Sequence, residues 1–241
     1  MDLRKWGALG GALAFLTLAS SAGAQANIKA AVADPSRPAA DTERDAARKP
    51  AETLAFAKVH TGETVLEIAP GGGYFTRLLA KAVGPTGHVY SVTPPQFAKA
   101  VTAIAAEPGY SNVTVVDRSA MASVPKVDLV FTAQNYHDLH LPAANLDVPA
   151  LDKSWYDQLK PGGLLVIVDH VAATGAPVAE TANALHRIDP AAVRKEVEAA
   201  GFKFDGEANF LRNPADNHTL KVFDPAIRGH TDQFVFRFKK P

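Results

Sequence analysis

A glycine-rich turn is the first segment of this chain whose residue types and spacing could do chemistry. It follows the apolar stretch Thr64–Ile68 and precedes an amphipathic stretch, and it runs Glu67-Ile68-Ala69-Pro70-Gly71-Gly72-Gly73-Tyr74. Glycine lets a backbone pass close to a ligand because it has no Cβ, and the first N–H groups of a helix attract anions. The order of strand, turn and helix therefore predicts a cofactor site that binds an anionic or carboxylate group.

The spacing of the glycines indicates which class of cofactor the turn could bind. A nicotinamide-dinucleotide site needs a third glycine three residues after the second, and Thr76 stands there. The turn instead resembles motif I of class I S-adenosylmethionine-dependent methyltransferases. Glu67 takes the acidic position of that motif, and the three small positions fall on Ala69, Gly71 and Gly73. The alternative is an ordinary tight turn that binds no ligand.

The resemblance continues over about residues 41–241. Val127-Asp128-Leu129-Val130 is similar to the start of the fourth strand in that superfamily, and Leu159–Leu164 is similar to the turn before its fifth strand. Together with Arg44, Asp45, Arg48-Lys49-Pro50 and the segment Gln134–His140, these motifs resemble a bacterial group of predicted methyltransferases with export signals. The resemblance implies the fold and the cofactor, S-adenosylmethionine, but not the methyl acceptor.

The same resemblance implies a set of cofactor-binding residues. The superfamily usually has a carboxylate after the second strand, which binds the ribose hydroxyls, and Thr93 stands there. Ser119 aligns with an aspartate that usually approaches the adenine, and Asp117 lies two residues earlier. A neutral hydrogen bond contributes about 1 kcal/mol less than a charge-assisted one. The predicted set is Glu67, Ala69, Pro70, Gly71, Gly73, Tyr74, Thr93, Asp117, Ser119 and Asn135.

Polar residues after the fourth predicted strand are the candidates for the acceptor side. Methyl transfer requires the protein to align the acceptor and, where needed, to remove its proton. Tyr136, His137 and Asp138 are the predicted catalytic residues, with His137 as a base near neutral pH. The alternative is that this segment only shapes the cofactor wall. Asp169 and His170 end the fifth strand at the same edge of the sheet.

Six histidines raise the question of a metal site: His137, His140, His170, His186, His218 and His230. His137 and His140 are three residues apart, a spacing that ligands on a turn can have. The sequence contains no tight His-x-x-x-His or carboxylate-rich motif, so we predict no metal.

Strand and helix patterns alternate along the chain. Predicted strands cover 64–68, 88–92, 112–116, 127–132, 164–169, 202–210 and 234–239, and predicted helices cover 41–58 (broken at Pro50), 74–83, 94–107, 152–159 and 190–200. This alternation predicts an α/β fold: a doubly wound, mostly parallel, seven-stranded Rossmann-like sheet with an antiparallel last strand. Ligands in such folds bind beyond the carboxyl ends of the strands.

Two further segments could cover that edge of the sheet. The connection 211–232 is long and polar, and long connections are often functional. We predict that it is a lid over the acceptor pocket, with a solvated surface excursion as the alternative. Arg44, Asp45 and Arg48 lie on the first predicted helix, which either covers the cofactor pocket or presents a solvated row of charges.

Composition and the first residues predict the location of the protein. Arg4 and Lys5 precede an apolar run, Trp6 to Ala19, and the small residues Ala22-Gly23-Ala24. This pattern predicts a signal peptide over 1–24, a linker over 25–40 and a methyltransferase-like domain over 41–241. The expected product is an exported, periplasmic protein without stable membrane insertion; an uncleaved anchor is the alternative. The chain has no cysteine, which excludes disulfides and thiolate catalysis.

We therefore predict S-adenosylmethionine-dependent methyl transfer to a small-molecule acceptor. The 25 basic and 25 acidic side chains balance, so no overall basic charge indicates a nucleic acid partner. The main alternative is a non-catalytic exported binding protein on the same scaffold. An aminopropyl transferase is disfavoured because no acidic pair follows the fourth strand, where Asp138 stands alone. The sequence does not predict the oligomeric state.

Overall fold

One seven-stranded sheet organises the protein. The computed structural model describes residues 23–241. The strand order is β3-β2-β1-β4-β5-β7-β6, and β7 runs antiparallel to both of its neighbours while every other pair of neighbouring strands is parallel. The α/β fold predicted from the sequence is confirmed, including the antiparallel last strand. The parallel strands end at one edge of the sheet, where ligands of such folds bind.

The elements alternate as the sequence pattern predicts. In chain order they are α1 (23–32), α2 (Ala39–Thr42), α3 (Asp45–Arg48), α4 (Pro50–Phe56), β1 (Thr64–Ile68), α5 (Tyr74–Val83), β2 (His88–Val92), α6 (Lys99–Ala105), β3 (Val113–Val116), β4 (Val127–Ala133), α7 (Val148–Gln158), β5 (Leu159–His170), α8 (Val178–Leu185), α9 (Pro190–Ala199), β6 (Lys203–Ala208) and β7 (Gln233–Lys239). Short 3₁₀ helices at Pro95–Phe97, Arg118–Ser123, His137–His140 and Pro142–Ala144 complete the connections. No helix among residues 23–241 is both long and apolar enough to cross a membrane.

Helices cover both faces of the sheet because its central strands are apolar on both sides. One core contains Leu66 of β1 with Trp155 and Val193 of α7 and α9. The other contains Val65 with Leu54 and Leu78 of α4 and α5. Consecutive strand residues point to opposite faces, so β1 contributes to both cores.

The segment 25–40, expected to be an irregular linker, differs from that prediction. It holds most of α1, and Ile28 and Ala31 of that helix are buried in the core beside α4 and α5. Alanine-rich sequence favours a helix even where the apolar pattern is weak, and the helix ends before Pro35. The predicted signal peptide, 1–24, lies almost entirely outside the described residues.

The turn between α5 and β2 gives a prediction about stability. A Cβ added at Gly87 would lie 2.5 Å from the Cβ of Val83 and 2.7 Å from the carbonyl oxygens of Val83 and Glu63. Because backbone atoms cannot rotate away, we expect Gly87→Ala to lower the free energy of unfolding by about 2 kcal/mol or more. Chemical denaturation measures this. Gly72→Ala is the control, since nothing lies within 4 Å of a Cβ there; equal losses for both variants would contradict the explanation.

Candidate active site

A cavity of about 290 Å³ lies at the carboxyl edge of the sheet. The helices α2–α3, the glycine turn after β1, the end of β4 and the connection after β6 all border it. Its lining comprises Arg44, Arg48, Glu67, Ile68, Ala69, Pro70, Gly71, Gly72, Tyr74, Phe75, Phe131, Ala133, Gln134, Asn135, His137, Asp138, His170, His186, Val222 and Phe223. The predicted cofactor turn and two of the three predicted catalytic residues thus share one cavity.

The glycine turn presents bare backbone to this cavity. Gly71 has a φ of 59° and Gly73 a φ of 83°, both in the left-handed region that favours glycine. A Cβ at Gly71 or Gly72 would meet no atom within 4 Å, whereas one at Gly73 would lie 2.1 Å from Cδ1 of Ile104. Gly71 and Gly72 therefore leave space for a ligand, and Gly73 allows α5 to pack against α6.

Glu67 is held at the end of β1 by two hydroxyl groups. Thr76 and Ser91 donate hydrogen bonds of 2.6 and 2.7 Å to its Oε2 atom. Burial raises the pKa of Glu67 to about 7, against the effect of these hydrogen bonds. The carboxyl group is thus fixed in position beside the cavity.

A positive charge stands at the cofactor end of the cavity. Arg48 stacks on the ring of Tyr74, with 4.6 Å between its Cζ and the ring centroid, and donates a hydrogen bond to Gln134. Among residues 23–241, no carboxylate lies within ion-pair distance of Arg48, whereas Asp45 pairs with Arg37 and accepts a hydrogen bond from Tyr74. Burial and the nearby Arg44 lower the pKa of Arg48 to about 10, which leaves it charged at neutral pH. An arginine without an acidic partner fits a ligand carboxylate.

His137 also lines the cavity and is held in place by a single carboxylate. Its Nδ1 lies 2.7 Å from Oδ1 of the fully buried Asp169, and its backbone N–H donates to Oδ2 of the same carboxylate at 2.7 Å. Burial disfavours a charged ring, but Asp169 and Asp138 outweigh it and raise the pKa of His137 to about 10. By contrast, burial lowers the pKa of the neighbouring His170 to about 4.

Two of the remaining predicted residues lie close to this arrangement. Asn135 lines the cavity and donates hydrogen bonds to the carbonyl oxygens of Ala69 and Ala133. It therefore connects the glycine turn to the end of β4. Tyr136 is fully buried away from the cavity lining, where its hydroxyl donates to Asp152 at 2.8 Å.

Besides Gly73, three predicted cofactor residues do not line the cavity. Thr93 is buried after β2, and its N–H donates to the carbonyl of Val116. Asp117 accepts hydrogen bonds from the N–H and hydroxyl of Ser119, and Asp117 thereby caps the 3₁₀ helix Arg118–Ser123. The structure therefore places these three residues beyond the lining, and their roles stay predictions.

Several lining residues were not predicted from the sequence. Gln134 directly follows β4 and could have been found from the strand pattern. His186 lies at the end of α8, a helix that the pattern did not predict, and Val222 and Phe223 belong to the long connection. Apolar side chains in a polar loop carry no signal of a ligand, so only the fold reveals them.

The long connection reaches the cavity because of its direction. Since β6 runs parallel to β5, its exit lies at the carboxyl edge, as the lid prediction requires. Val222 and Phe223 line the cavity, and Phe223 packs on His186 with 4.9 Å between ring centroids. Phe223 is 54% exposed, so its ring is only partly covered by the rest of the protein.

A buried arginine anchors this connection. Arg187 is fully buried, pairs with Asp216 at 2.8 Å and donates to the carbonyl oxygens of Leu220 and Val171. Removing one partner of a buried pair leaves an uncompensated charge, so we expect Arg187→Met to lower the free energy of unfolding by about 3 kcal/mol. Chemical denaturation provides the measurement. The exposed pair of Lys153 with Asp157 supplies the control, since Lys153→Met should cost under about 0.5 kcal/mol; a loss of similar size in both would contradict the anchoring role.

Comparison with known proteins decides the family. The sequence profile of the family described as protein-L-isoaspartate(D-aspartate) O-methyltransferase matches residues 40–175, more than half of the chain. The chain belongs to this family. A protein-L-isoaspartate O-methyltransferase of Ignicoccus hospitalis is 34% identical over 112 residues, which cover 46% of this chain and 49% of that protein. The chain thus spans about half the length of the curated relatives it matches.

Solved structures agree on the fold. A SAM-dependent methyltransferase from Aquifex aeolicus superposes with a TM-score of 0.58 and 20% identity, over 90% of this chain and 98% of the other. Fibrillarin from Aeropyrum pernix, with natively bound S-adenosyl-L-methionine, superposes with a TM-score of 0.51 and 13% identity, over 81% of this chain and 76% of the other. Membership of this methyltransferase family, together with these neighbours in fold, confirms S-adenosylmethionine, the cofactor predicted from the sequence. Arg48, which has no acidic partner in the described part of the chain, suits its carboxylate, and the turn at Gly71 leaves space for it.

The resemblance to a bacterial group of exported methyltransferases has no support from these relatives or structures. The relative from Ignicoccus hospitalis is archaeal, and nothing in these comparisons bears on a bacterial exported group. The match of the family also ends at residue 175, before α8 and the long connection. The family therefore covers the cofactor half of the cavity and the first part of the acceptor half.

Proposed function

We propose that this protein transfers the methyl group of S-adenosylmethionine to a carboxyl oxygen of an isoaspartyl residue in a protein. The single observation that carries the methyl transfer is the cavity that joins the glycine turn and Arg48 to His137 and Asp138. The family supports the acceptor, because its relatives are named as protein-L-isoaspartate methyltransferases. The small-molecule acceptor predicted from the sequence finds no support among them.

Different residues that line the cavity bind the cofactor and orient the acceptor. Arg48 binds the carboxylate of the cofactor, and the turn at Gly71 and Gly72 allows its close approach. Bound S-adenosylmethionine supplies a methyl group on a sulfonium sulfur. A carboxylate oxygen forms the new bond to that methyl as the carbon–sulfur bond breaks, which leaves a methyl ester and S-adenosylhomocysteine. No proton is transferred, so His137 and Asp138 orient the acceptor and need not act as a base.

An assay with two matched peptides tests this function. The protein is incubated with S-adenosylmethionine labelled in the methyl group and either a peptide that contains one isoaspartyl residue or the same peptide with an ordinary aspartate. We expect base-labile methyl ester only on the isoaspartyl peptide, with one S-adenosylhomocysteine formed for each ester. Gly71→Asp is the inactive control. Equal labelling of both peptides would contradict the isoaspartyl acceptor, and cofactor binding without labelling of any acceptor would favour the non-catalytic binding protein.

We also propose that the protein is exported, on the basis of Arg4, Lys5 and the apolar run that follows them. Cleavage after Ala24 would leave Ile28 and Ala31, the buried residues of α1, in place. Cell fractionation with sequencing of the amino terminus tests this. Periplasmic protein that begins at Gln25 is expected, and cytoplasmic protein with an intact amino terminus would contradict it.

A further inference from the structure

Two imidazole nitrogens and one carboxylate oxygen meet in the part of the cavity lined by His137, Asp138 and His186. The Nε2 atom of His137 lies 3.3 Å from Nδ1 of His186 and 3.2 Å from Oδ1 of Asp138. The third side of this triangle, from Nδ1 of His186 to Oδ1 of Asp138, is 3.3 Å. Ligands about 2.0–2.1 Å from a tetrahedral cation are separated by roughly 3.3–3.4 Å, which these three distances match.

The ring of His137 is oriented as metal-bound histidines are. Its Nδ1 faces Asp169, which leaves Nε2 as the atom that points into the triangle. Metal-ligating histidines almost always donate their second N–H to a carboxylate or carbonyl, and this contact fixes the ring and strengthens the ligand. Asp169 is itself fixed, since the backbone N–H groups of His137 and His170 donate to it at 2.7 and 2.8 Å.

Nε2 of His137 and Nδ1 of His186 face each other, so a proton or a cation must lie between their lone pairs. One proton can join Nε2 of His137 to Nδ1 of His186, but the 3.3 Å separation is long for such a hydrogen bond. A cation satisfies both lone pairs and the carboxylate of Asp138 at once. The competing explanation is a protonated His137 that donates to Asp138. A metal titration separates this explanation from a bound cation.

The triangle has an open side. His137, Asp138 and His186 all line the cavity that continues to the glycine turn, so a fourth ligand can approach from the cavity. Three protein ligands with one open position are the arrangement of a catalytic rather than a structural metal site. Two imidazoles and one carboxylate suit a divalent first-row ion.

We propose that His137, Asp138 and His186 bind one divalent cation of the zinc class, with the open position directed at the acceptor. Such an ion would hold an acceptor oxygen beside the methyl group. This role rests on the proposed function, whereas the binding of the ion does not. His186 lies beyond residue 175, outside the stretch matched by the family, so the family does not supply this set of ligands.

Direct titration tests the site in the absence of cofactor and acceptor. The full chain, freed of any affinity tag and treated with chelator, is titrated with Zn²⁺ by calorimetry and with Co²⁺ by visible spectroscopy. We expect one ion per chain at micromolar affinity or tighter, with the intense visible bands of tetrahedral Co²⁺. His186→Ala and Asp138→Asn should each weaken binding at least about 100-fold.

His140→Gln is the matched control, because His140 lies on the same 3₁₀ helix but faces Glu196 at 3.2 Å. Its affinity for Zn²⁺ should equal that of the native protein. Circular dichroism and thermal melting confirm that each variant is folded. No binding at millimolar Zn²⁺, or binding that His186→Ala leaves unchanged, would overturn the proposal and favour the protonated His137. Since no methyl transfer is measured, failure of this site is distinct from failure of the proposed function.

Discussion

We expect Asp169→Asn to lower the turnover of methyl transfer to an isoaspartyl peptide about 100-fold. The two oxygens of Asp169 accept from the ring and backbone of His137 and from the backbone of His170. An asparagine side chain has only one accepting oxygen, so one of these contacts is lost and the ring of His137 is free to change its tautomer. Since His137 orients the acceptor and transfers no proton, the loss comes from a misplaced acceptor, and a displacement of about 1 Å costs about 100-fold in rate.

The affinity for S-adenosylmethionine separates this effect from unfolding. Asp169 does not line the cavity, and the cofactor end lies at Arg48 and Gly71. The dissociation constant of the cofactor in Asp169→Asn should therefore stay within about threefold of the native value, while the free energy of unfolding falls by about 1–3 kcal/mol. Native turnover in this variant would show that the contact between Asp169 and His137 has no part in catalysis.

Gly71→Asp is expected to weaken the binding of S-adenosylmethionine at least about 1000-fold. A side chain at this position meets no protein atom and so projects into the space left for the cofactor. The new carboxylate would also compete for the charge of Arg48, which has no acidic partner among the described residues. Calorimetric titration of the cofactor into the variant measures the loss, which corresponds to about 4 kcal/mol.

A second glycine controls for backbone strain. Gly229 has a φ of 82°, close to the left-handed region of Gly71, and nothing lies within 4 Å of a Cβ there. It does not line the cavity. Gly229→Asp should therefore lower the melting temperature about as much as Gly71→Asp and leave cofactor binding intact. If both variants bound the cofactor equally well, the turn at Gly71 would not be the cofactor site.

Much of the fold could be predicted because strand and helix periods are local signals. The strand Thr64–Ile68 and the helix Tyr74–Val83 have the predicted bounds, since the glycine turn marks the end of one and the start of the other. Asp189 caps α9 through the N–H of Ala191, as its position before Pro190 predicts. Helix α8 was not predicted because its ends lack such signals: His186, its C-terminal cap, adopts a left-handed conformation without glycine.

The candidate site was harder to predict than the fold because its residues meet across long stretches of sequence. His137 and His186 are 49 positions apart, and they meet only because β4 and β5 are neighbours and α8 folds back over the edge of the sheet. The close spacing of His137 and His140 in the sequence indicates His140 instead, which faces Glu196. Similarly, Tyr136 is a residue type that could act in catalysis, but its side chain is buried in the core and does not line the cavity, because it lies at the start of the 3₁₀ helix His137–His140.

The most direct test of the central claim is a calorimetric titration of S-adenosylmethionine into the native protein. The cavity, with its open glycine turn and an Arg48 that has no acidic partner among residues 23–241, predicts one binding site of micromolar affinity. S-adenosylhomocysteine should compete for that site, because it keeps the carboxylate that Arg48 binds. Absence of binding at millimolar cofactor would contradict the assignment of this cavity and, with it, the methyl transfer proposed for the protein.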